Sequence, residues 1–301
     1  MTLQKKATLV STSVAAFLTL IKLVIGIMSG SVAVLASAVD SILDMFVSLF
    51  NYFAISNSEK PADKYFNYGR GKIEALASLL EGLIITISGL FLLYTAIDKY
   101  FSNEVSSYLD ISLIIMSISL FITIALVAYL NAVFKKTNNM VIKADILHYK
   151  TDVWVNLSVL LSLVIIYFTQ YQIVDIIIGG AISIFIIYSA YELIEDGIFV
   201  LLDRALPIKI VKRIENIFAA DQNVNDFHDL KTRTVGDKNY IDIHLVFDCV
   251  ITLMEAHRIS DKIEENIRKL DTTKNWIINI HMDPYDDSEI NNQENSIIIP
   301  K

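Results

Sequence analysis

Six apolar stretches, near residues 7–28, 32–56, 73–98, 108–134, 145–169 and 173–201, occupy the first two thirds of the chain. Each is long enough to cross about 30 Å of hydrocarbon at roughly 1.5 Å per residue in a helix. No soluble core needs this much apolar length: 54% of the 301 residues are hydrophobic, and the mean hydropathy is +0.50. A backbone in lipid must satisfy its own hydrogen bonds, so the stretches predict an α-helical membrane protein with six transmembrane helices and the lipid bilayer as its first partner. The first stretch is too long for a signal core and lacks a small-residue cleavage site, which makes it a permanent span.

Basic residues cluster at one set of ends: Lys5 and Lys6, then Lys60, Lys64, Arg70 and Lys72, then Lys135, Lys136 and Lys143. The opposite connections, 29–31 and 170–172, are short and poor in them. By the positive-inside rule both termini face the cytoplasm.

From Pro207 the pattern turns soluble. An amphipathic helix is expected near 207–220, strands near 227–235 and 239–248, a helix near 252–269 and a strand near 275–283, with Gly236-Asp237 as the hairpin turn. The predicted organisation is a membrane domain over 1–206, a small cytoplasmic α+β domain over 207–286, and a polar, disordered tail over 287–301.

The single cysteine, Cys249, excludes an intramolecular disulfide and any thiolate cluster, so metal ligands must be imidazoles and carboxylates. Asp40 and Asp44 lie four apart in the second span, and His148 and Asp152 lie four apart in the fifth. Each pair shares a helix face, and two facing helices would bring four N/O ligands to one point, a set that suits tetrahedral Zn²⁺. Ionised groups at membrane depth cost several kcal/mol each, roughly, unless paired, hydrated or bound to a cation. Other charges have plainer readings: Lys22 snorkels to the outer interface, Glu81 lines a hydrated cavity or touches a neighbouring helix, and Asp145 belongs to a vestibule or an interfacial cap. No Walker-type glycine loop is present, so nucleotide is not expected as a partner, and neither is nucleic acid.

The runs Leu35-Ala-Ser-Ala-Val-Asp-Ser-Ile-Leu-Asp44, Pro61-Ala-Asp63, Tyr68-Gly-Arg-Gly-Lys-Ile-Glu74, Lys143-Ala-Asp-Ile-Leu-His-Tyr-Lys-Thr-Asp152 and Leu202-Asp-Arg-Ala-Leu-Pro207 resemble the bacterial zinc- and iron-efflux branch of the cation diffusion facilitators. The likeness runs from the first span to about Pro284. It implies a homodimer of six-helix protomers with a metallochaperone-like cytoplasmic domain in the bacterial inner membrane. It also implies that Asp40, Asp44, His148 and Asp152 are the transport ligands, alternating between the two sides and exchanging Zn²⁺ for protons. The exchange has independent chemical support, because a cation arriving at His and Asp ligands displaces their protons, and imidazole ordinarily titrates at about pH 6.5.

In the cytoplasmic domain, strand alternation sets Trp276, Ile278, Ile280 and Met282 on one face and His281 and Asp283 on the other. Likewise His244 opposes Ile241, Ile243, Leu245 and Phe247. A His and an Asp two apart on a strand bind one ion or bridge two. As a set that matches the family's cytoplasmic positions, His228, His244, His257, His281 and Asp283 are read as a binuclear zinc site, with Asp283 bridging, that stabilises the dimer and senses metal. The family's loop site has an aspartate and two histidines; here Asp63 matches, but Phe66 and Arg70 replace the histidines, and arginine cannot ligate Zn²⁺. That site is expected to be absent or weak. Lys72 and Asp203 match a family salt bridge at the dimer interface, or are juxtamembrane charges facing water; Glu74 matches an acidic position of open role.

The expected function is divalent cation efflux, most simply Zn²⁺/H⁺ antiport, with Cd²⁺, Fe²⁺, Co²⁺ or Mn²⁺ as further possible substrates, and the chain is not an enzyme. The alternative is a membrane sensor that binds zinc in its cytoplasmic domain without moving it; the intramembrane set argues against it, since a sensor needs only the cytoplasmic site. A tight four-ligand site also argues against a passive channel.

Overall fold

The computed structural model describes residues 1–29, 32–102, 110–169 and 173–286. The connections 30–31 and 170–172, the start of the fourth stretch before 110, and the tail 287–301 lie outside the described residues. The chain divides into two compact units, Met1–Ile198 and Phe199–Lys301.

The first unit is built of six long helices: α1 (Leu3–Ser29), α2 (Val32–Ser58), α3 (Lys72–Ser102), α4 (Asp110–Thr137), α5 (Met140–Thr169) and α6 (Ile173–Leu201). Four carry a window long and apolar enough to cross a membrane: Leu3–Ile25, Lys72–Asp98, Ser117–Thr137 and Ile176–Leu201. Helices α2 and α5 are as long, at 27 and 30 residues, and carry the ionisable pairs. The bundle is apolar outside and mixes small, polar and large apolar residues inside: Leu20, Phe91, Phe121 and Ile184 are exposed, whereas Ala7, Ser11, Ser48, Ala75, Ser78, Ala144 and Ala190 are buried beside Ile55, Leu130 and Ile142. This is the arrangement expected where lipid, not water, is the outer solvent and close helix approach supplies the packing.

Helices α3 and α6 meet across glycines. A Cβ on Gly82 would fall 2.7 Å from Ile194 Cγ1, and one on Gly197 would fall 3.1 Å from the Ala75 carbonyl oxygen. The α4–α5 corner takes two residues. Asn138 adopts a left-handed φ of 46° and closes α4 with a bond from its N–H to the Phe134 carbonyl. Asn139 then caps α5, its Oδ1 accepting from the N–H groups of Val141 and Ile142. That cap starts α5 at Met140, five residues before the apolar pattern predicts, and so draws Lys143 and Asp145 inside the helix.

The second unit contains α7 (Ile208–Ala220), β1 (Asp226–Val235), β2 (Lys238–Val246), α8 (Leu253–Arg268) and β3 (Asn275–Asp283). Thr252 caps α8 by accepting the Glu255 N–H, with Glu255 at the third helical position favouring the helix dipole. The sheet order is β1-β2-β3: β1 and β2 form an antiparallel hairpin at Gly236, while α8 carries the chain over so that β3 pairs parallel to β2. Ile214 and Phe218 of α7 and Ala256, Ile259, Ile263 and Ile267 of α8 pack with Ile241, Ile243, Leu245 and Trp276 in one core. Each fully buried side chain of this size contributes about 1.5–3 kcal/mol. The helices thus cover one face of the sheet, and the other is left to polar residues. Strand β1 carries a bulge between His228 and Lys231, where Asp229 has φ 56°.

Candidate metal centres

Polar stripes run along three helices of the first unit: Asp44, Ser48 and Asn51 on α2; Glu74, Ser78 and Glu81 on α3; Asp145, His148 and Asp152 on α5. Spacings of three, four and seven keep each stripe on one face. Where α2 meets α5, Asp44, His148 and Asp152 each offer a ligand atom within 4.8 Å of the others. His148 Nε2 stands 3.1 Å from Asp44 Oδ1. All three side chains are half-buried, and together they make an N/O set suited to a borderline divalent cation. Asp40, the fourth expected ligand, lies on α2, but its side chain is outside the described residues. The next residue on α5, Tyr149, is fixed by a 2.7 Å hydrogen bond between its hydroxyl and Ser48 Oγ.

Two neighbours behave differently from their sequence readings. Lys22 donates to Ser41 Oγ at 2.8 Å, where Thr19 also bonds the Ser41 carbonyl, so it ties α1 to α2 instead of only reaching for an interface. Asp145 is fully buried and forms no cap: it accepts from Ser11 Oγ of α1 at 2.8 Å and from Asn51 Nδ2 of α2 at 3.2 Å. Asn51 also donates to Glu81 of α3 at 2.9 Å. Asn51 and Ser11 were not singled out by sequence reasoning; the i, i+4, i+7 run from Asp44 to Asn51 was the available signal.

In the second unit, strand register lines up three histidines on the face away from the helices. His228 is paired across from His244, and His244 from His281, with ring centroids 5.0 and 4.6 Å apart. Two residues beyond His281, the buried Asp283 carboxylate reaches all three: Oδ2 is 2.9 Å from His244 Nδ1 and 3.7 Å from His228 Nε2, and Oδ1 is 3.1 Å from His281 Nε2. His228, His244 and Asp283 have ligand atoms within 4.8 Å of one another. His281 is mostly exposed at the open end of the row. His257 is not brought to this cluster. It sits on the outward side of α8, exposed and 3.7 Å from Asp261 one turn on, with α8 and the sheet between it and the histidine row.

The loop between α2 and α3 is organised without a metal. Asp63 accepts the backbone N–H groups of Tyr65 and Phe66 and pairs with the Arg70 guanidinium, which lies 4.4 Å over the Phe66 ring. The Tyr65 N–H above all, with Phe66 and Arg70, holds the Asp63 carboxyl below the usual carboxylate range. Glu74, in the first turn of α3, accepts from Ser58 Oγ at 2.9 Å. Lys72 opens α3 in the first unit. Asp203, in the second, is bonded by Arg233 at 3.0 Å.

Residues 8–202 match the family described as Cation efflux transmembrane domain, and residues 206–285 match Cation efflux protein, cytoplasmic domain. The chain is 35% identical over 282 residues to the Cation-efflux pump FieF of Serratia proteamaculans, covering 94% of this chain and 93% of that one. It is 34% identical over the same length, with the same coverage, to the Cation-efflux pump FieF of Escherichia coli K12. Among solved structures, CzrB, described as a zinc transporter, aligns with 28% identity and a TM-score of 0.24 over 26% of this chain and 98% of that one. The MamB C-terminal domain of Desulfamplus magnetovallimortis aligns with 18% identity and a TM-score of 0.24 over 25% of this chain and 90% of that one.

Proposed function

The chain belongs to the cation efflux family, a multi-pass membrane transporter of divalent metal cations and not an enzyme, and we propose that it works as a Zn²⁺/H⁺ antiporter. The supporting observation is the approach of Asp44, His148 and Asp152 from two helices of an apolar bundle. With Asp40 they make a four-ligand site for the transported ion. Carboxylate and imidazole bind a cation only when deprotonated, so loading from one side expels protons and protons arriving from the other side expel the ion. Cd²⁺, Fe²⁺, Co²⁺ and Mn²⁺ share the ligand preference broadly enough to be substrates as well.

The cytoplasmic row takes a resident zinc. His228, His244 and Asp283 are the donor set it would use, an N/N/O combination common for this ion, with His281 positioned to take a second ion through the shared Asp283. His257 joins such a site only from another copy of the chain, which makes the working unit a homodimer and metal occupancy a term in its assembly. Lys72 and Asp203 are assigned to the same dimer interface. The protein is placed in the bacterial inner membrane, both termini in the cytoplasm.

The test is zinc flux into proteoliposomes under an imposed pH gradient, wild type against Asp152→Ala. Flux that depends on the gradient and disappears in the variant is the expected result. Gradient-independent flux, or full activity without Asp152, overturns the mechanism.

A further inference from the structure

One turn from His148, and outside the ligand set, two carboxylates are buried together. Glu81 is 2% exposed and Asp145 0%. Both are bridged by the single amide of Asn51, itself 0% exposed, and Asp145 also accepts from Ser11. Among the described residues no lysine or arginine bonds either one. Glu81 Oε1 and Asn51 Oδ1 are buried without any hydrogen-bond partner.

Two ionised carboxylates in this position would carry a charge of about −2 with only neutral donors bonded to them, and the nearest group able to carry a positive charge, His148, is engaged by Asp44, so the cost in a low-dielectric bundle is many kcal/mol. The amide hydrogens of Asn51 point at the carboxylates, which disfavours a metal ion between them. A proton on Glu81 removes half the charge and turns an orphaned acceptor into a donor.

We propose that Glu81 and Asp145 form a proton-holding site, carrying one proton while the transport ligands are empty and releasing it when a divalent cation occupies Asp44, His148 and Asp152. The release is a plain ionisation: the O–H bond of the carboxyl breaks, its electron pair stays on Glu81, and the proton leaves to water. The arriving +2 charge, one helical turn from Asp145, stabilises the second carboxylate. The other titratable groups of the surrounding helices are Asp44, His148 and Asp152 in the ligand set, with His148 bonded to Asp44, Glu74 bonded by Ser58, Tyr149 bonded to Ser48, Lys22 bonded to Ser41, and Lys143 paired with Asp196 of α6. None of these bonds neutralises the pair.

The coupling rests on the efflux reading; the proton on the pair does not. Infrared difference spectra of the metal-free full-length protein in lipid at neutral pH therefore test it first. Wild type should show a protonated carboxyl C=O band that shifts in D₂O, is missing in Glu81→Gln and diminishes when Zn²⁺ is added. Absence of the band in wild type, or its persistence in the variant, overturns the proposal. With a pH-indicator dye, wild type should release about one more proton per zinc bound than Glu81→Gln. Equal release overturns the coupling, and loss of zinc binding in the variant overturns it too, by making Glu81 a ligand. Failure of wild type to take up zinc at all would instead sink the efflux reading, with the infrared result standing apart.

Discussion

The substitution Asp283→Asn isolates the cytoplasmic metal reading with little disturbance to shape. The carboxylate is buried, 2.9 Å from His244, 3.1 Å from His281 and 3.7 Å from His228. An amide keeps the volume but gives up the negative charge. In zinc-free protein the change should cost no more than about 1 kcal/mol, the scale of one exchanged hydrogen bond. Zinc at a hundredfold excess over its Kd should stabilise the wild-type domain by about 2.7 kcal/mol. At about 4–8 °C per kcal/mol for a domain of this size, that is an upward Tm shift of roughly 10–20 °C. If losing the anionic ligand weakens binding about a hundredfold, the same zinc concentration gives about 0.4 kcal/mol and a shift of about 2–3 °C. Thermal melts followed by circular dichroism on a fragment beginning at Asp203, with zinc and with chelator, separate these cases. A full zinc shift in Asp283→Asn, or none in wild type, refutes the assignment.

Gly197→Val should lower the thermal stability of the full-length protein in detergent by the equivalent of about 1–3 kcal/mol, because its side chain would press on the Ala75 carbonyl; Gly180→Ala, with nothing within 4 Å of a new Cβ, should be close to neutral. The folded-state value of Asp63 is depressed, so its hold on the α2–α3 loop is complete above the ordinary carboxylate value of about 3.9 and is lost as pH falls through the lower folded value. Proteolysis of that loop should therefore rise only at strongly acid pH in wild type, and already at neutral pH in Arg70→Ala. The double variant Phe66→His with Arg70→His should gain one zinc per chain by elemental analysis, since it replaces a permanent cation with two ligands beside Asp63.

Six membrane-length helices were readable because lipid imposes a minimum apolar length, and the ligands of α2 and α5 because four-residue spacing fixes a helix face. The cytoplasmic elements followed from alternation and the Gly236 turn. What escaped was whatever depends on a partner far along the chain. Asp145 reads as an interfacial residue until the Asn139 cap is seen to start α5 early and turn it toward Ser11 and Asn51. Glu81 was legible only as lining a cavity or touching a neighbouring helix; the contact is with Asn51 of α2, which no local pattern on α3 could name. The three-histidine row needs β3 to lie parallel beside β2, an outcome of the α8 crossover that no local pattern encodes.

The bulge in β1 gives that row an unusual dependence on how one strand is paired. Counted back from the hairpin, where Val235 faces Lys238 and Lys231 faces Asp242, an unbroken ladder would set Asp229 opposite His244 and His228 opposite Leu245, on the face packed by α7 and α8. The extra residue, accommodated by the left-handed Asp229, rotates His228 from the greasy side of the sheet to the ligand side. Pairing the same sequence without the bulge would remove no donor, yet it would drive an imidazole into the core and leave the remaining donors a ligand short, whereas deleting one of the two bulge residues would let an unbroken ladder keep His228 opposite His244. Metal capture in this domain is thus written partly in how β1 accommodates its extra residue, and not only in which histidines are present.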